Sequence, residues 1–170
     1  SKWGQGVLEA DGIESVYVPC GIDTKVYDID EEGGRRWRKQ IKPEIDDDTF
    51  LIGMVGLNTG SPDRKGYGYA FDVIKAFREN HPKDKMQVYI HTDAYGDGMA
   101  INLFALREQM GLTDLIAFNP PQLPWGRPNL YMRDMYNAFD VYMTTSITEG
   151  FGVPIVEAQA CGVPVVVNSC

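Results

Sequence analysis

Apolar residues form two kinds of pattern along this chain. Short continuous runs rich in valine, isoleucine, tyrosine and phenylalanine predict buried strands, and they lie at 50–55, 86–92, 115–119, 141–146 and 163–168. Between these runs, apolar residues recur every three or four positions, which predicts helices at about 66–80, 99–110, 129–138 and 153–160. Strands that alternate with helices predict an α/β fold, with a parallel sheet covered by helices on both faces.

Two of these helices have a defined apolar face. The helix after the first strand is expected to bury Ala70, Val73, Ile74 and Phe77. The next helix is expected to bury Met99, Leu103, Leu106 and Met110. Gly111 is expected to close that second helix, because glycine readily adopts the left-handed conformation at helix ends.

The first fifty residues break the alternation. Residues 15–23, SVYVPCGID, predict a strand that leads into a turn, and residues 33–42, GGRRWRKQIK, predict a helix face that is cationic and solvated. The last predicted strand is not followed by a closing helix. We therefore predict a single domain over residues 1–170 and expect it to be a piece of a longer protein.

Composition narrows the possible functions. The chain has 170 residues, 44% of them hydrophobic, and a formal net charge of −8, which disfavours a nucleic-acid partner. No apolar run approaches the roughly 20 residues that span a bilayer, so we expect no transmembrane segment. The three cysteines show no metal-ligand spacing, and His91 with Asp93 supplies too few ligands for a metal site. A reducing compartment and no bound metal are the expectation.

Two glycine-containing loops at predicted strand ends carry the candidate chemistry, because ligands of parallel sheets bind beyond the carboxyl ends of the strands. In the first loop, residues 56–66, Arg64 and Lys65 precede a helix N-terminus, where a cation is unfavourable unless an anion binds between them. The alternative is two exposed cations in a solvated loop. This loop alone does not decide between the two interpretations.

The second loop is TEGFGVPIVEA, residues 148–158. Glu149 precedes Gly150 and Gly152, Pro154 fits the first turn of a helix, and Glu157 lies one turn inside that helix. Either glutamate alone is explained as a loop acid or as a partner of the helix dipole. Both together, around a glycine loop at a strand end, favour a ligand site. Acids for hydroxyl groups and cations for phosphates suit a sugar nucleotide.

The segment EGFGVPIVEAQACGVPVV, residues 149–166, resembles the E-x(7)-E region of retaining, nucleotide-sugar-dependent glycosyltransferases of the GT-B fold. VYVPCGID, FLIGMVG and RKG resemble further segments of that family in the same order, so the resemblance runs from about residue 15 to residue 170. It implies a Rossmann-like, C-terminal domain that binds the sugar donor. An N-terminal acceptor-binding domain and a few final elements would be missing.

The resemblance also implies roles for individual residues. Lys65 would hold the diphosphate, Glu149 would contact the sugar hydroxyls, and Glu157 would bind the ribose. The backbone amides near the sugar and phosphate would be those of Phe151, Gly152 and Val153. The family usually has an arginine directly after the glycine that ends the first strand, but here Gly56 is followed by Leu57. Arg64 is the candidate replacement, and Gly56 itself remains a candidate contact with the sugar donor.

The implied reaction transfers a sugar from a UDP- or GDP-linked donor to a glycan, lipid or small-molecule acceptor with retention, without a metal or other cofactor. Such a protein would be cytoplasmic, with peripheral membrane contact through the missing domain. Two alternatives stay open: a nucleotide-sugar binding module without catalysis, and half of a GT-B phosphorylase or sugar-phosphate synthase. We expect the isolated chain to bind a nucleotide but not to transfer sugar. Trp125 and Tyr131 are candidates for base stacking, and packing under the loop is the alternative that we favour.

Overall fold

The protein folds around one parallel sheet of five strands. The computed structural model describes residues 1–41, 45–60, 62–120 and 127–168. The strand order is β3-β2-β1-β4-β5, so β1 is central and the chain runs outward from it in both directions. The strands are β1 (Phe50–Val55), β2 (Met86–His91), β3 (Ile116–Phe118), β4 (Val141–Thr144) and β5 (Val165–Val167).

Six helices accompany the sheet in the part of the chain that is described. They are α1 (Lys2–Ala10), α2 (Glu31–Ile41), α3 (Tyr67–Asn80), α4 (Leu103–Gln109), α5 (Asn129–Asn137) and α6 (Val153–Ala160). Helices α3 and α4 pack on one face of the sheet, and α2, α5 and α6 pack on the other. The predicted α/β fold, with a parallel sheet covered on both faces, is therefore confirmed.

The central strand shows why the strands of this sheet are continuous apolar runs in the sequence. In β1, Ile52 and Met54 face the α3 side, whereas Leu51 faces the side of α2 and α5. Ile52 is paired with Val88 of β2 and with Val141 of β4. Both faces of a parallel strand are buried in this way, so polar alternation is lost. A Cβ at Gly53 would overlap the Phe139 ring, which explains a glycine inside this strand.

The prediction of a strand at residues 15–23 is wrong. These residues form no strand, and none of the five described strands pairs with them. Val16 and Val18 are 84% and 79% exposed. Their β-branched side chains favour an extended backbone, but a strand also needs a hydrogen-bonded neighbour.

The interpretation of residues 33–42 as a solvated face was wrong in part. Helix α2 forms, but its Trp37 is only 2% exposed and packs edge-on against Tyr89. A Cβ at Gly34 would collide with the carbonyl of Asn137, so this glycine lets α2 approach α5 closely. Arg35, Arg36 and Lys39 are exposed, whereas the largely buried Arg38 hydrogen-bonds the Ala138 carbonyl at 2.7 Å.

The buried faces of two helices also differ from the prediction. In α3 the buried residues are Tyr67, Ala70, Phe71 and Ile74, whereas Val73 and Phe77 are largely exposed. The aromatic pair Tyr67 and Phe71, one turn apart, turns the helix toward the sheet because it offers more apolar area. Met99 is exposed and lies before α4, which begins at Leu103. Gly111 does adopt the left-handed conformation directly after that helix, at φ 69°.

Candidate functional site

A cavity of about 710 Å³ opens at the carboxyl edge of the sheet, where the strand order changes direction. Its wall includes the ends of β1 and β2, the loops that follow them, and the first turn of α6. Residues at these positions include Val55, Gly56, Lys65, His91, Asn119 and Pro154. The volume lies within the range of small-molecule sites.

Two cations and one carboxylate meet beside this cavity. Lys65 Nζ lies 2.5 Å from Glu149 Oε1, and Arg64 Nη1 lies 3.7 Å from Glu149 Oε2. Arg64 also donates to the Thr148 carbonyl at 3.0 Å. The structure therefore brings together residues from the two loops that the sequence singled out, although they are 84 positions apart.

The charge state of Glu149 reflects these partners. Burial would raise the pKa of this carboxyl, but hydrogen bonds from Lys65 and Ser146 and the charges of Lys65 and Arg64 outweigh that effect. The pKa of Glu149 therefore lies below its ordinary value. Lys65 is largely buried in this pair, whereas about half of the Arg64 side chain remains exposed.

The loop after β1 is fixed by buried polar contacts. The Tyr67 hydroxyl donates to the Gly56 carbonyl at 2.7 Å. Asn58, which is buried, donates to the carbonyls of Asp93 and Ile101 at 3.1 and 2.8 Å and so ties this loop to the loop after β2. Leu57 points outward, is 61% exposed and lines the cavity. Asn58 thus takes a structural role, and the cationic side chain beside Gly56 is that of Lys65, whose Cε would lie 3.1 Å from a Cβ at Gly56.

The two helix N-termini at the site differ in what they can offer an anion. At α3, the Asp63 carboxylate already accepts from the Gly68 amide at 2.9 Å. At α6, Gly152 is the N-cap, with φ 80°, and it has no side chain that could cap the helix. Phe151 and Val153 flank it and are both exposed. The α6 terminus can therefore offer an anion the amides that precede Pro154, those of Gly152 and Val153. Pro154 has no N–H, and the Ile155 amide already donates to the Gly152 carbonyl at 2.9 Å.

Glu157 lies apart from the Lys65 cluster. Its Oε2 accepts a hydrogen bond from the Tyr136 hydroxyl at 2.7 Å, and it is not part of the cavity wall. It lies three residues, about one helical turn, after Pro154, which does line the cavity. The two glutamates of the predicted pair thus have different neighbours: Glu149 precedes α6 and contacts Lys65, whereas Glu157 lies within α6 and contacts Tyr136.

His91 is a cavity residue that the sequence did not reveal. Its Nδ1 atom is enclosed without a hydrogen-bond partner, and burial, followed by the charge of Arg127, lowers the pKa of this imidazole to about 4. The ring is therefore neutral at pH 7. A lone histidine at the end of a strand carries no pattern that would distinguish it from a packing residue.

Three further observations concern aromatic stacking, metal-ligating side chains and helix length. Trp125 lies outside the described residues, and Tyr131 packs edge-on at 6.3 Å from Trp37 with Arg127 over its ring. Within residues 1–41, 45–60, 62–120 and 127–168, no cluster of three metal-ligating side chains is present. Over the same residues, every helix is too short or too polar to cross a bilayer.

Comparison with known proteins identifies relatives of this chain. A D-inositol 3-phosphate glycosyltransferase of Actinosynnema mirum is 28% identical over 165 residues, which cover 95% of this chain and 37% of that protein. The chain thus spans well under half the length of this relative.

Two solved structures share the fold. The sucrose-phosphate synthase of Thermosynechococcus elongatus gives a TM-score of 0.70 at 20% identity, over 98% of this chain and 39% of that one. The C-terminal domain of the glycosyl transferase group 1 protein LpcC from Francisella tularensis gives a TM-score of 0.63 at 21% identity, over 86% of this chain and 70% of that one. The fold is therefore the Rossmann-like C-terminal domain of GT-B glycosyltransferases, as the sequence resemblance implied. Residues 49–170 match the family described as glycosyl transferases group 1, and the chain belongs to that family.

Proposed function

We propose that this chain binds a UDP- or GDP-linked sugar as the donor domain of a retaining glycosyltransferase. The observation that carries the proposal is the convergence of Lys65, Arg64 and Glu149 beside the cavity and the uncapped N-terminus of α6. Cations and free amides suit a diphosphate, whereas a carboxylate at the same place suits the hydroxyl groups of a sugar.

Each residue has a defined part in this proposal. Lys65 and Arg64 bind the diphosphate, and Glu149 accepts hydrogen bonds from the sugar hydroxyls. Glu157 accepts from the ribose hydroxyls, and Gly56 lets the ligand approach the end of β1 without a side chain in the way. The amides that face the sugar and phosphate belong to Phe151, Gly152 and Val153.

Ligand binding requires an exchange of partners. Without a ligand, Lys65 neutralises Glu149 at 2.5 Å. A diphosphate that binds Lys65 loosens this pair, and Glu149 is then free to accept hydrogen bonds from the sugar. The ion pair keeps two largely buried charges compensated until the ligand arrives, since a buried charge without a partner is costly.

The chemical contribution of this domain is electrostatic. The bond from the anomeric carbon to the diphosphate breaks, a bond to the acceptor oxygen forms on the same face, and the acceptor proton passes to the leaving diphosphate. Negative charge grows on the diphosphate, and Lys65 with the α6 amides stabilises it. Removal of one such preorganised group typically lowers the rate by about 10²–10³.

The acceptor belongs to a part of the protein beyond this domain. We propose that a preceding domain binds a glycan, lipid or small molecule, that the protein is cytoplasmic, and that this preceding domain makes any membrane contact. The Actinosynnema relative is named for an inositol phosphate acceptor, which makes a phosphorylated polyol the first acceptor to assay.

A binding module without catalysis is the second candidate. It is favoured by Leu57, which occupies the cavity wall where the family usually has a cation. Loss of one diphosphate contact would weaken stabilisation of the leaving group more than it weakens ground-state binding. Assay of sugar transfer by the full-length protein, with the anomeric configuration of the product read by NMR, separates the two candidates.

Calorimetric titration of the chain with UDP, GDP and ADP tests the proposal. We expect one of these nucleotides to bind, and Lys65→Ala to weaken binding at least tenfold because a charged contact is lost. Lys75→Ala, which removes an exposed cation of α3, is the matched control and should bind like the wild type. Failure of all three nucleotides to bind the folded chain would refute the proposal, and sugar transfer by the isolated chain would refute the split site.

A further inference from the structure

We propose that Tyr136 and Tyr27 are positioning residues for Glu157, and that they make the site selective for ribonucleotides over 2′-deoxyribonucleotides. The proposal rests on the role assigned above to Glu157, and it adds a selectivity for the sugar of the nucleotide. It concerns two phenols, one of which lies outside the segment that matches the family.

Tyr136 holds one oxygen of Glu157. Its hydroxyl donates to Glu157 Oε2 at 2.7 Å, across 21 positions of sequence, and the Tyr136 side chain is completely buried in α5. The ring is fixed by edge contacts at about 6 Å with Tyr27, Phe139 and Tyr142. A carboxylate that accepts from so rigid a group has few alternative rotamers.

Tyr27 lies beside Tyr136 and interacts with the same carboxylate. Its ring lies 6.2 Å from that of Tyr136, and its side chain is 5% exposed. Burial and then the neighbouring Glu157 raise the pKa of Tyr27, and burial and then Glu157 likewise raise the pKa of Tyr136, both beyond the physiological range. Both hydroxyls therefore keep their protons and act as hydrogen-bond donors toward the carboxylate.

The segment that carries Tyr27 is anchored to α5. Asn137 accepts from the Asp30 amide at 2.7 Å and donates to the Asp28 carbonyl at 2.9 Å. Arg133 Nη2 lies 2.7 Å from Asp30 Oδ2. These contacts lock residues 27–30 against the same helix that carries Tyr136. Both phenols are thus fixed relative to Glu157 before any ligand binds.

The location of Glu157 connects this arrangement to the cavity. Pro154 lines the cavity wall, and Glu157 follows it by one turn of α6. With Oε2 held by Tyr136, the carboxylate presents its other oxygen in a fixed direction. A ribose diol can then donate to that oxygen without first ordering the side chain, whereas a 2′-deoxyribose lacks one of the two hydroxyls.

The test compares each ribonucleoside diphosphate with its 2′-deoxy form. Calorimetric titration of the chain uses UDP, GDP, ADP and the three 2′-deoxy counterparts. We expect the wild type to prefer the ribo form of the nucleotide that binds by about tenfold, the value of one hydrogen bond to a charged group. Tyr136→Phe should reduce that ratio to about threefold or less and leave affinity for the 2′-deoxy form unchanged.

Three controls separate the possible outcomes. Tyr142→Phe removes an equally buried hydroxyl, one that donates to the Val55 carbonyl at 3.2 Å, and should keep the wild-type ratio. Glu157→Gln should abolish the preference for ribose. Tyr27→Phe should reduce the preference for ribose in part. This variant replaces Tyr136→Phe in the test if circular dichroism shows that Tyr136→Phe is unfolded.

Each contrary result has a distinct meaning. Unchanged ratios in Tyr136→Phe and Tyr27→Phe, with the ratio lost in Glu157→Gln, would overturn the positioning role alone. An unchanged ratio in Glu157→Gln would overturn both this inference and the ribose contact, although nucleotide binding would stand. No binding by the folded wild type would overturn the proposed function and this inference together.

Discussion

Replacement of Glu149 by glutamine is the most informative change at the Lys65 cluster. It keeps the size and the polar character of the side chain but removes the negative charge that lies 2.5 Å from Lys65 Nζ. We expect Glu149→Gln to bind inorganic pyrophosphate more tightly than the wild type. The reason is that pyrophosphate and Glu149 compete for Lys65 and repel each other.

The geometry gives the size of this effect. A phosphate oxygen on Lys65 would lie roughly 5 Å from the Glu149 carboxylate, where two unit charges repel by about 3 kcal/mol at an effective dielectric constant of 20. Arg64, which lies 3.7 Å from the same carboxylate and is half exposed, and the solvent at the cavity mouth reduce this repulsion. About 1 kcal/mol remains, which corresponds to roughly fivefold tighter binding.

The assay is calorimetric titration with inorganic pyrophosphate, which has neither a sugar nor a base to contact Glu149 or Glu157. Glu108→Gln, an exposed change on α4 with the same effect on net charge, is the control and should match the wild type. Weaker binding by Glu149→Gln would refute the reasoning. It would mean that Glu149 serves mainly to hold Lys65 in place.

Three further predictions concern stability. Because the pKa of His91 falls from 6.5 to about 4 on folding, the unfolded chain binds more protons between these values. The free energy of unfolding should therefore drop by about 2 kcal/mol from pH 7 to pH 5 in urea titrations. His91→Gln should show a smaller drop, and an equal drop in that variant would contradict the shift at His91. Gly53→Ala should lower the free energy of unfolding by at least about 2 kcal/mol, because the added Cβ would overlap the Phe139 ring. An unchanged midpoint in the urea titration would contradict that contact. Asp140→Ala should lower the free energy of unfolding by about 1–2 kcal/mol, because the Leu51 amide and the Arg38 guanidinium donate to this carboxylate at 2.7 and 2.8 Å and would lose their acceptor. Thermal unfolding that matches the wild type would contradict this prediction.

The sheet could be predicted because its strands are buried on both faces. Each strand is a continuous apolar run, bounded by glycine, proline or charge, and helices fill the intervals. The start of α6 was also predictable, since Pro154 stands in its first turn and Gly152 adopts the left-handed conformation in front of it. These signals are local, so one sequence contains them.

The features that escaped the sequence depend on contacts between distant segments. Residues 15–23 have the composition of a strand, but composition does not supply a pairing partner. The apolar residues of α3 are compatible with two different buried faces. Packing against the sheet selects the face that contains Tyr67 and Phe71. The pairing of Glu157 with Tyr136 joins two helices, and no spacing rule predicts it.

The sequence before α3 contains one local signal for the state of its N-terminus. Asp63 lies five residues before Gly68, and an aspartate just ahead of a helix is a common partner of its first amides. The Asp63 carboxylate occupies the Gly68 amide of α3, although the N-cap itself, Gly66, has no capping side chain. The expected anion site therefore moves from the α3 terminus toward α6.

The most direct measurement of the central claim is a crystal structure of the chain with the nucleoside diphosphate that binds it. We predict diphosphate oxygens within about 3 Å of Lys65 Nζ and of the first amides of α6. We also predict that the distance from Lys65 Nζ to Glu149 Oε1 increases from 2.5 Å. A nucleotide bound elsewhere, with the pair of Lys65 and Glu149 intact, would contradict the assignment of this cluster as the diphosphate site.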